Sequence, residues 1–334
     1  MSERRAACRG IDPDVDGWPT VSVVMPVRNE GPYLEQAVAS VLEQDYPIPF
    51  DLCLAIAPSD DDTAAVAARL VAADERVGVV DNPAGITPAG LNAAIAATTG
   101  SIVVRVDGHA ELSEGYIRRA VETMCRTGAV NVGGMQVPSP RTPFEESVAA
   151  ATGSWMGTGG ATYRVGGTEA EVDTVYLGVF DRAAGDAVGW FDETLIRNQD
   201  YELNIRLRAD GGSVWFDPGL RVGYRPRGSW SALAKQYYEY GWWKAEVLRR
   251  HPDSLRLRQM IPPVAMLGLV ASSLLAIRRP VTALVPVAYA VTTLAVQRRA
   301  PSPVRAALAT MTLHAAWTTG LADGFTRRRR PAAA

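Results

Sequence analysis

Short apolar runs alternate with helix-like stretches from Val21 to about Gly223, and this alternation limits the possible folds more than any other feature. The first four runs read VSVVMPV, FDLCLAIA, RVGVVD and SIVVRVD, and stretches of helical character separate them. Such alternation predicts an α/β fold, namely a mostly parallel sheet with helices on both faces. In such sheets, ligands bind beyond the carboxyl ends of the strands.

The composition is that of an ordered protein. Of its 334 residues, 47% are hydrophobic and 21% are charged, enough to bury the core of one large domain or two small ones. The net charge of -2 argues against general nucleic-acid binding. Cys8, Cys53 and Cys125 are odd in number and far apart, which predicts reduced cytoplasmic thiols rather than a disulfide framework or a zinc site.

The fourth apolar run ends in Asp107, and His109 follows two residues later. A carboxylate and an imidazole at this spacing can turn toward one ion. Oxygen and nitrogen ligands suit Mn²⁺ or Mg²⁺ when phosphates complete the coordination. The sequence contains no P-loop and no GxGxxG turn, so bound phosphates would need a metal or arginines. The alternative is that Asp107 caps the next helix and His109 is solvated.

Six stretches resemble family-2 glycosyltransferases in order and spacing, and together they cover about residues 20–258. They are VSVVMPVRNE, DNPAGITPAGLNAAI, VRVDGHA, VDTVYLGVFDRAAGDAVGWFDE, NQDYELNIRLRADGGSVWFDP and QYYEYGWWK. RVDGHA and QDYELNIRLR are most similar to the succinoglycan-type exopolysaccharide glucosyltransferases. The resemblance implies a GT-A fold that binds a nucleotide-diphosphate sugar.

The resemblance also implies a set of site residues. His109 stands where the family has the second aspartate of its Asp-x-Asp motif, so Asp107 and His109 are the predicted ligands of Mn²⁺ or Mg²⁺. The predicted nucleotide-sugar-binding residues are Pro26, Arg28, Asn29, Glu30, Ser59, Asp61, Asn92, Arg105 and Asp107. The predicted acceptor- or diphosphate-binding residues are Gln199, Arg225, Arg227, Gln236, Trp242 and Trp243. The arginines could equally be ordinary loop charges, and the aromatic segment could simply pack against the domain or the membrane interface.

Two positions depart from the family pattern. Ala57 and Pro58 occupy the place of the aspartate that reads the uracil edge, although Asp61 or a neighbouring aspartate can substitute from the loop. Gln199 replaces the glutamate that usually precedes Asp200. The first departure leaves open which nucleotide base the site binds. The second changes only the residue before Asp200.

Asp200 is the predicted catalytic base. Inverting glycosyl transfer needs one carboxylate to take the acceptor's hydroxyl proton while the sugar becomes oxocarbenium-like. The diphosphate leaving group needs a cation rather than a general acid. The alternative role of Asp200 is an N-cap of the helix DYELNIRLRA, and the two roles are compatible.

The C-terminal part of the chain predicts a membrane segment. MIPPVAMLGLVASSLLAI and PVTALVPVAYAVTTLAV are uncharged and about long enough to cross a bilayer, and PVRAALATMTLHAAWTTGLADGF is a weaker third candidate. From Arg256 onward the chain is basic, which suits an anionic membrane surface. The predicted organisation is a flexible arm (1–19), a GT-A domain (20–228), an aromatic interface helix region (229–258), two or three membrane helices (259–326) and a basic tail (327–334).

These features predict a membrane-bound inverting glycosyltransferase whose catalytic domain faces the cytoplasm. The predicted partners are a nucleotide-diphosphate sugar, a lipid-linked or polysaccharide acceptor and the membrane, in exopolysaccharide or envelope glycan synthesis. One alternative is a polyprenyl-phosphate sugar synthase, which shares the fold and the membrane tail. An alternative of another class is a catalytically inactive membrane scaffold.

Overall fold

The computed structural model describes residues 6–327, which divide into two compact units. The sheet unit comprises residues 6–137 and Gly166–Tyr224, and the helical unit comprises Pro138–Val165 and residues 225–327. The assignment of Pro138–Val165 to the helical unit is not among the sequence predictions. Parts of the predicted arm and basic tail, residues 1–5 and 328–334, lie outside the described residues.

The described residues form nine strands and fourteen α-helices. The strands are β1 (Val21–Val27), β2 (Asp51–Ile56), β3 (Val77–Asp81), β4 (Ile102–Arg105), β5 (Glu111–Leu112), β6 (Asn131–Pro138), β7 (Ala170–Val172), β8 (Tyr176–Asp181) and β9 (Val214–Tyr224). The helices are α1 (Pro13–Asp16), α2 (Gly31–Leu42), α3 (Thr63–Ala73), α4 (Thr87–Ala96), α5 (Tyr116–Thr127), α6 (Pro143–Thr152), α7 (Trp155–Thr158), α8 (Thr162–Val165), α9 (Arg182–Val188), α10 (Gln199–Ala209), α11 (Trp230–Arg250), α12 (Leu257–Ala276), α13 (Leu284–Val296) and α14 (Pro303–Thr326). Two short 3₁₀ helices span Pro252–Ser254 and Pro280–Ala283.

The nine strands form one sheet in the order β3-β2-β1-β4-β8-β6-β9-β5, and β7 pairs with β9. β3, β2, β1 and β4 are parallel, whereas β8 is antiparallel to both β4 and β6. β5 and β7 are also antiparallel to β9. The sheet is therefore mixed, and the prediction of a mostly parallel sheet is wrong. An apolar run identifies a strand but does not determine its neighbour or its direction.

Helices cover both faces of the sheet, as the alternating pattern predicts. Successive side chains of a strand point to opposite faces. Val23 and Met25 of β1 belong to the core that includes α2, α3 and α5, whereas Val24 belongs to the core that includes α4 and α10. The strand ends that carry the candidate site are therefore supported from both sides.

The N-terminal segment from residue 6 onward is tied to the sheet unit, which differs from the predicted flexible arm. The backbone N–H of Gly10 donates to the carbonyl of Cys125 at 2.9 Å. Cys8 and Cys125 form a disulfide with their Cα atoms 4.8 Å apart, and Cys53 is a buried free thiol. The prediction of three reduced thiols is wrong for this pair. Its partners are 117 residues apart, so their spacing in the sequence does not reveal the pairing.

In the helical unit, α11 and α14 pack closely because glycines lie at their contact. A Cβ atom on Gly241 of α11 would collide with the backbone of Trp317, and one on Gly320 of α14 would collide with the backbone of Tyr238. α14 corresponds to the third predicted membrane candidate, and Leu313 and several of its other residues are buried. This helix therefore belongs to the core of the helical unit.

α12 is long and apolar enough to cross a bilayer, and it is the one helix within residues 6–327 that meets both criteria. Its side chains are largely exposed, among them Leu257, Val264, Leu267 and Val270. The following segment Pro280–Val296 is apolar but shorter. Of the two or three membrane helices that the sequence predicts, one is thus a candidate by length and composition.

Candidate active site

The candidate site lies in the sheet unit, where the carboxyl end of β4 meets the start of α10. β4 ends at Arg105, and Asp107 and His109 follow in the turn after it. β4 is paired in parallel with β1 and antiparallel with β8. Since β4 lies inside the sheet, the position of the turn after it is well defined.

Arg105 links the two predicted functional carboxylates. Its guanidinium donates to Oδ1 of Asp107 from Nε at 3.2 Å and from Nη2 at 2.9 Å. Its Nη1 lies 3.9 Å from Oδ2 of Asp200. Burial opposes ionisation of Asp107, but the charges of Arg105 and His109 outweigh it and lower the pKa of Asp107. The Asp107 side chain is therefore a carboxylate at neutral pH, and Asp200 lies near the same guanidinium.

His109 contacts Glu30 of the predicted nucleotide pocket. The distance from Nδ1 of His109 to Oε1 of Glu30 is 2.7 Å. The predicted metal ligand is thus hydrogen-bonded to a second carboxylate, which the sequence analysis placed in the site but did not pair with His109.

The loop after β2 fixes the backbone of Asn29, Glu30 and Gly31. The N–H of Asn29 donates to Oγ of Ser59 at 3.1 Å, and the N–H of Gly31 donates to Oδ2 of Asp61 at 3.1 Å. Asn29 has a φ of 55° and accepts at Oδ1 from the N–H of residue 60 at 2.8 Å. A hydrogen bond from Thr63 lowers the pKa of Asp61. Ser59 and Asp61 are predicted to bind the nucleotide, and in this structure their side chains accept hydrogen bonds from the protein backbone.

Three other predicted nucleotide-binding residues lie in the same unit. Arg28 is exposed and its Nη1 donates to the carbonyl of Gly85 at 3.0 Å, while Pro26 is part of β1. Asn92 of α4 donates to the carbonyl of Phe191 at 2.8 Å and accepts from the same residue's N–H at 3.1 Å. The side chain of Asn92 thus holds the loop after α9.

Asp200 is the second residue of α10, and the N-cap is Asn198 with a φ of 60°. Oδ1 of Asp200 accepts from the N–H of Tyr201 at 2.8 Å, so the carboxylate is bonded to the first helical turn without being its N-cap. The Asp200 side chain is 39% exposed. Gln199 is buried, and Glu202 forms a buried ion pair with Arg206 at 2.7 Å. Glu202 thus makes a structural contact within α10.

One charged residue near the site is absent from the sequence predictions. The positive charge of Arg197 contributes to the lowered pKa of Asp107 after the effects of burial, Arg105 and His109. Its position three residues before Asp200 is the sequence signal that could have identified it.

The remaining predicted residues belong to the helical unit and are described within it. Arg225 donates from Nε to Oε1 of Glu145 at 2.8 Å, and the Glu145 side chain is 2% exposed. Burial opposes ionisation of Glu145, but hydrogen bonds from the Arg141 N–H and from Arg225 outweigh it and lower the pKa of Glu145. Arg225 is thus oriented by a buried carboxylate, whereas Arg227 is exposed on the surface.

The aromatic segment forms α11. Nε2 of Gln236 donates to the Tyr240 hydroxyl at 3.0 Å. The rings of Trp242 and Trp243 meet edge to face with their centroids 4.8 Å apart, and both side chains are buried. The two tryptophans therefore contribute to the core of the helical unit, in line with the packing alternative.

The donors after β4 fit a divalent cation whose coordination is completed by substrate phosphates. Both hydrogen bonds from Arg105 end on Oδ1 of Asp107, so Oδ2 is outside this pair. Within residues 6–327, no three His, Cys, Asp or Glu side chains gather as a complete metal site. One carboxylate and one imidazole suit Mn²⁺ or Mg²⁺ when water or phosphate oxygens supply the further ligands.

Comparison with known proteins identifies the family. Residues 22–192 match the model of glycosyl transferase family 2. The chain is 31% identical over 308 residues to the succinoglycan biosynthesis protein ExoA of Rhizobium meliloti (strain 1021), covering 89% of this chain and 92% of that protein. It is 23% identical over 239 residues to the dolichyl N-acetyl-alpha-D-glucosaminyl phosphate 3-beta-D-2,3-diacetamido-2,3-dideoxy-beta-D-glucuronosyltransferase of Methanococcus voltae, covering 69% of this chain and 74% of that protein.

A solved structure supports the fold. The mannosyltransferase PcManGT from Pyrobaculum calidifontis, in complex with GDP-Man and Mn²⁺, superposes with a TM-score of 0.57 at 17% identity, covering 92% of this chain and 87% of that one. At this identity the likeness concerns the GT-A fold alone. The family match and the identity to ExoA over most of both chains show that this chain is a glycosyltransferase of family 2.

Proposed function

We propose that the chain transfers a sugar from a nucleotide-diphosphate sugar to a lipid-linked or polysaccharide acceptor, with inversion at the anomeric carbon. The observation that carries this proposal is the position of Arg105 between Asp107 and Asp200 at the end of β4. It brings a donor-side carboxylate and an acceptor-side carboxylate to one place. The family membership of the chain favours this enzyme over an inactive scaffold.

Asp200 acts as the base in this proposal. Its carboxylate takes the proton of the acceptor hydroxyl, whose oxygen forms a bond to the anomeric carbon on the face opposite the diphosphate. The bond from the anomeric carbon to the diphosphate breaks, and its electron pair leaves with the diphosphate. A divalent cation held by Asp107 and His109 would neutralise the charge that develops on this leaving group.

Asp107 and Arg105 prepare the donor side. Arg105 is fixed against Asp107, so its charge is largely used within the protein rather than offered to the donor phosphates. Its role is to hold Asp107 ionised and oriented. We propose no particular nucleotide base for the sugar donor, because Ala57 stands where the family reads uracil. The carboxylate of Asp61, which could substitute, is hydrogen-bonded to the backbone of Gly31.

The acceptor proposal depends on the relatives. One is named for succinoglycan biosynthesis, and the other is named for transfer to a dolichyl phosphate-linked sugar. We propose that the acceptor is a lipid-linked saccharide or a growing exopolysaccharide and that it is presented at the cytoplasmic face. Transfer directly to a polyprenyl phosphate is the alternative within the same chemistry.

We place the membrane anchor in α12, and the apolar α13 follows it after a connection that carries Arg278 and Arg279. The exposed residues of α12 and α13 are apolar apart from Ser273 and Thr292. An interfacial helix would have a polar face, which these helices do not have, so a helix surrounded by lipid fits better. α14 packs in the helical unit and is not part of this anchor.

A transfer assay tests the proposed reaction. The full chain in native membranes is supplied with radiolabelled nucleotide sugars, and label is followed into lipid-linked and polysaccharide products. One nucleotide sugar should label product, and Asp200→Asn should reduce the rate by about 10²–10⁴-fold because the amide cannot take a proton. Asp210→Asn, at the other end of α10, is the matched control and should keep activity. Equal rates in Asp200→Asn and wild type would reject Asp200 as the base.

Membrane extraction tests the anchor. Leu267→Arg places a charge in the middle of α12, at a cost of about 2.5–3.5 kcal/mol if the helix spans a bilayer. It should lower the fraction that resists alkaline extraction from membranes. Val79→Arg, on an exposed position of β3, should not. An unchanged resistant fraction in Leu267→Arg would reject α12 as the anchor.

A further inference from the structure

We infer that Glu30 is a positioning residue for the metal site, which holds His109 so that Nε2 of the imidazole faces the cation. This inference rests on the proposed function and gives Glu30 a role other than contact with the nucleotide. It also explains how an imidazole can serve at a position where the family resemblance implies a carboxylate.

The contact between Glu30 and His109 determines which ring nitrogen can bind a cation. Nδ1 of His109 lies 2.7 Å from Oε1 of Glu30. A carboxylate only accepts hydrogen bonds, so Nδ1 carries the proton in this pair. The lone pair of a neutral imidazole is then on Nε2, the atom that can bind a cation.

The backbone that carries the Glu30 side chain is held by hydrogen bonds within the protein. The N–H of Glu30 donates to Oγ1 of Thr63 at 2.8 Å, and the N–H of Gly31 donates to the same oxygen at 2.9 Å. The Glu30 side chain is 16% exposed, whereas that of His109 is 44% exposed. The more buried carboxylate can therefore orient the more exposed ring.

Gly108 lets Glu30 lie between the two predicted ligands. A Cβ atom at residue 108 would lie 3.0 Å from Cγ of Glu30, closer than an ordinary contact. The absence of a side chain at Gly108 thus allows Glu30 to approach the backbone between Asp107 and His109.

The two ligands then have equivalent support. Arg105 orients Asp107, and Glu30 orients His109. A carboxylate that accepts from the second nitrogen of a ligating histidine fixes the ring and raises its basicity. Loss of such a partner typically weakens metal binding by about 10–100-fold.

The first test measures Mn²⁺ alone, titrated into the detergent-solubilised full chain, with free Mn²⁺ followed by electron paramagnetic resonance. Glu30→Ala should weaken Mn²⁺ binding by about 10–100-fold. Glu30→Gln should weaken it less, because its amide oxygen can still accept from Nδ1. Glu35→Ala is the matched control, since Glu35 is an exposed residue of α2, the helix that follows Glu30, and pairs with Arg69. This variant should bind Mn²⁺ as the wild type does.

The second test reads the tautomer of His109 without metal. The chain has three histidines, so ¹⁵N-histidine spectra at alkaline pH are simple, and His109→Gln identifies the His109 signals by their loss. The wild type should show His109 with its proton on Nδ1. Glu30→Ala should move the proton to Nε2, the tautomer that free imidazole side chains favour. A purely structural role of Glu30 would not produce this change.

Three results would overturn the inference: unchanged Mn²⁺ affinity in Glu30→Ala, no Mn²⁺ binding by the wild type, or a wild-type His109 protonated on Nε2. Asp107→Ala, measured in parallel, separates this inference from the proposed function. If Asp107→Ala loses Mn²⁺ and Glu30→Ala keeps it, the inference about Glu30 fails and the donor site stands.

Discussion

The guanidinium of Arg105 is buried against the carboxylate of Asp107 and donates to its Oδ1 from two nitrogens, at 3.2 and 2.9 Å. The Arg105 residue is 6% exposed. β4 therefore ends in a buried guanidinium beside the predicted metal ligand. Nη1 of this guanidinium lies 3.9 Å from Oδ2 of Asp200.

We expect Arg105→Met to destabilise the protein strongly. The substitution leaves Asp107 without its buried partner, which typically costs about 3–5 kcal/mol. Chemical denaturation of the detergent-solubilised chain measures the loss. Arg69→Met is the control, because Arg69 and Glu35 form an exposed pair that contributes about 0–1 kcal/mol. Similar small losses in both variants would show that the Arg105–Asp107 pair is not important for stability.

The lowered pKa of Asp217 predicts that the folded protein loses stability in acid. Burial opposes its ionisation, but hydrogen bonds from Arg119, from the Gly219 N–H and from Thr123 outweigh burial and lower the pKa of Asp217. A lowered pKa in the folded state contributes stability above the unfolded value of about 3.9, and this contribution is lost as the pH falls below it.

The Asp217→Asn variant tests this linkage. Its free energy of unfolding should be lower than that of the wild type at neutral pH, and the difference should shrink as the pH falls below about 4. Denaturation midpoints across this range measure it. A difference that stays constant with pH would mean that the ionisation of Asp217 does not stabilise the fold.

Thiol counting tests the disulfide between Cys8 and Cys125. The denatured chain should show one reactive thiol, that of Cys53, before reduction and three after it. In the folded chain even Cys53 should react slowly, because burial and the nearby Asp51 raise the pKa of its thiol to about 11. Three thiols without reduction would contradict the disulfide.

Reduction should also lower stability, by about 2–4 kcal/mol, because the disulfide restricts the unfolded chain. Cys53→Ala should retain this dependence on reduction, whereas Cys8→Ser should abolish it. Denaturation with and without a reductant measures both.

Gly320→Ala tests the packing of α14 on α11. The added methyl group would collide with the backbone of Tyr238, and overpacking of this kind costs about 1–3 kcal/mol. Gly268→Ala in α12 is the matched control, because a Cβ atom there meets nothing within 4 Å. Thermal unfolding should show a lower midpoint for Gly320→Ala only. Equal midpoints in the two variants would contradict the close contact.

The sequence predicts the parallel half of the sheet well and the antiparallel half poorly. β1 to β4 alternate with helices, so their order and direction follow from short right-handed connections. β8 lies beside β4 although more than seventy residues separate them in the chain. Its direction depends on long-range pairing, which a local apolar pattern does not contain.

The site shows the same limit. The turn after β4 and the start of α10 are local features, so the sequence and its family resemblance can name Asp107, His109 and Asp200 as candidates. Their partners are not local: Glu30 is 79 residues from His109, and Asp200 is far along the chain from Arg105. Pairing between charged groups is therefore what the structure adds.

The donor site is tested most directly by calorimetry of a panel of nucleoside diphosphates with the detergent-purified chain, with and without Mn²⁺, in wild type and in Asp107→Ala. We expect that the wild type binds one nucleotide in a metal-dependent manner and that Asp107→Ala loses this binding. No binding of any nucleotide by the wild type, or equal binding in Asp107→Ala, would contradict a donor site at the end of β4.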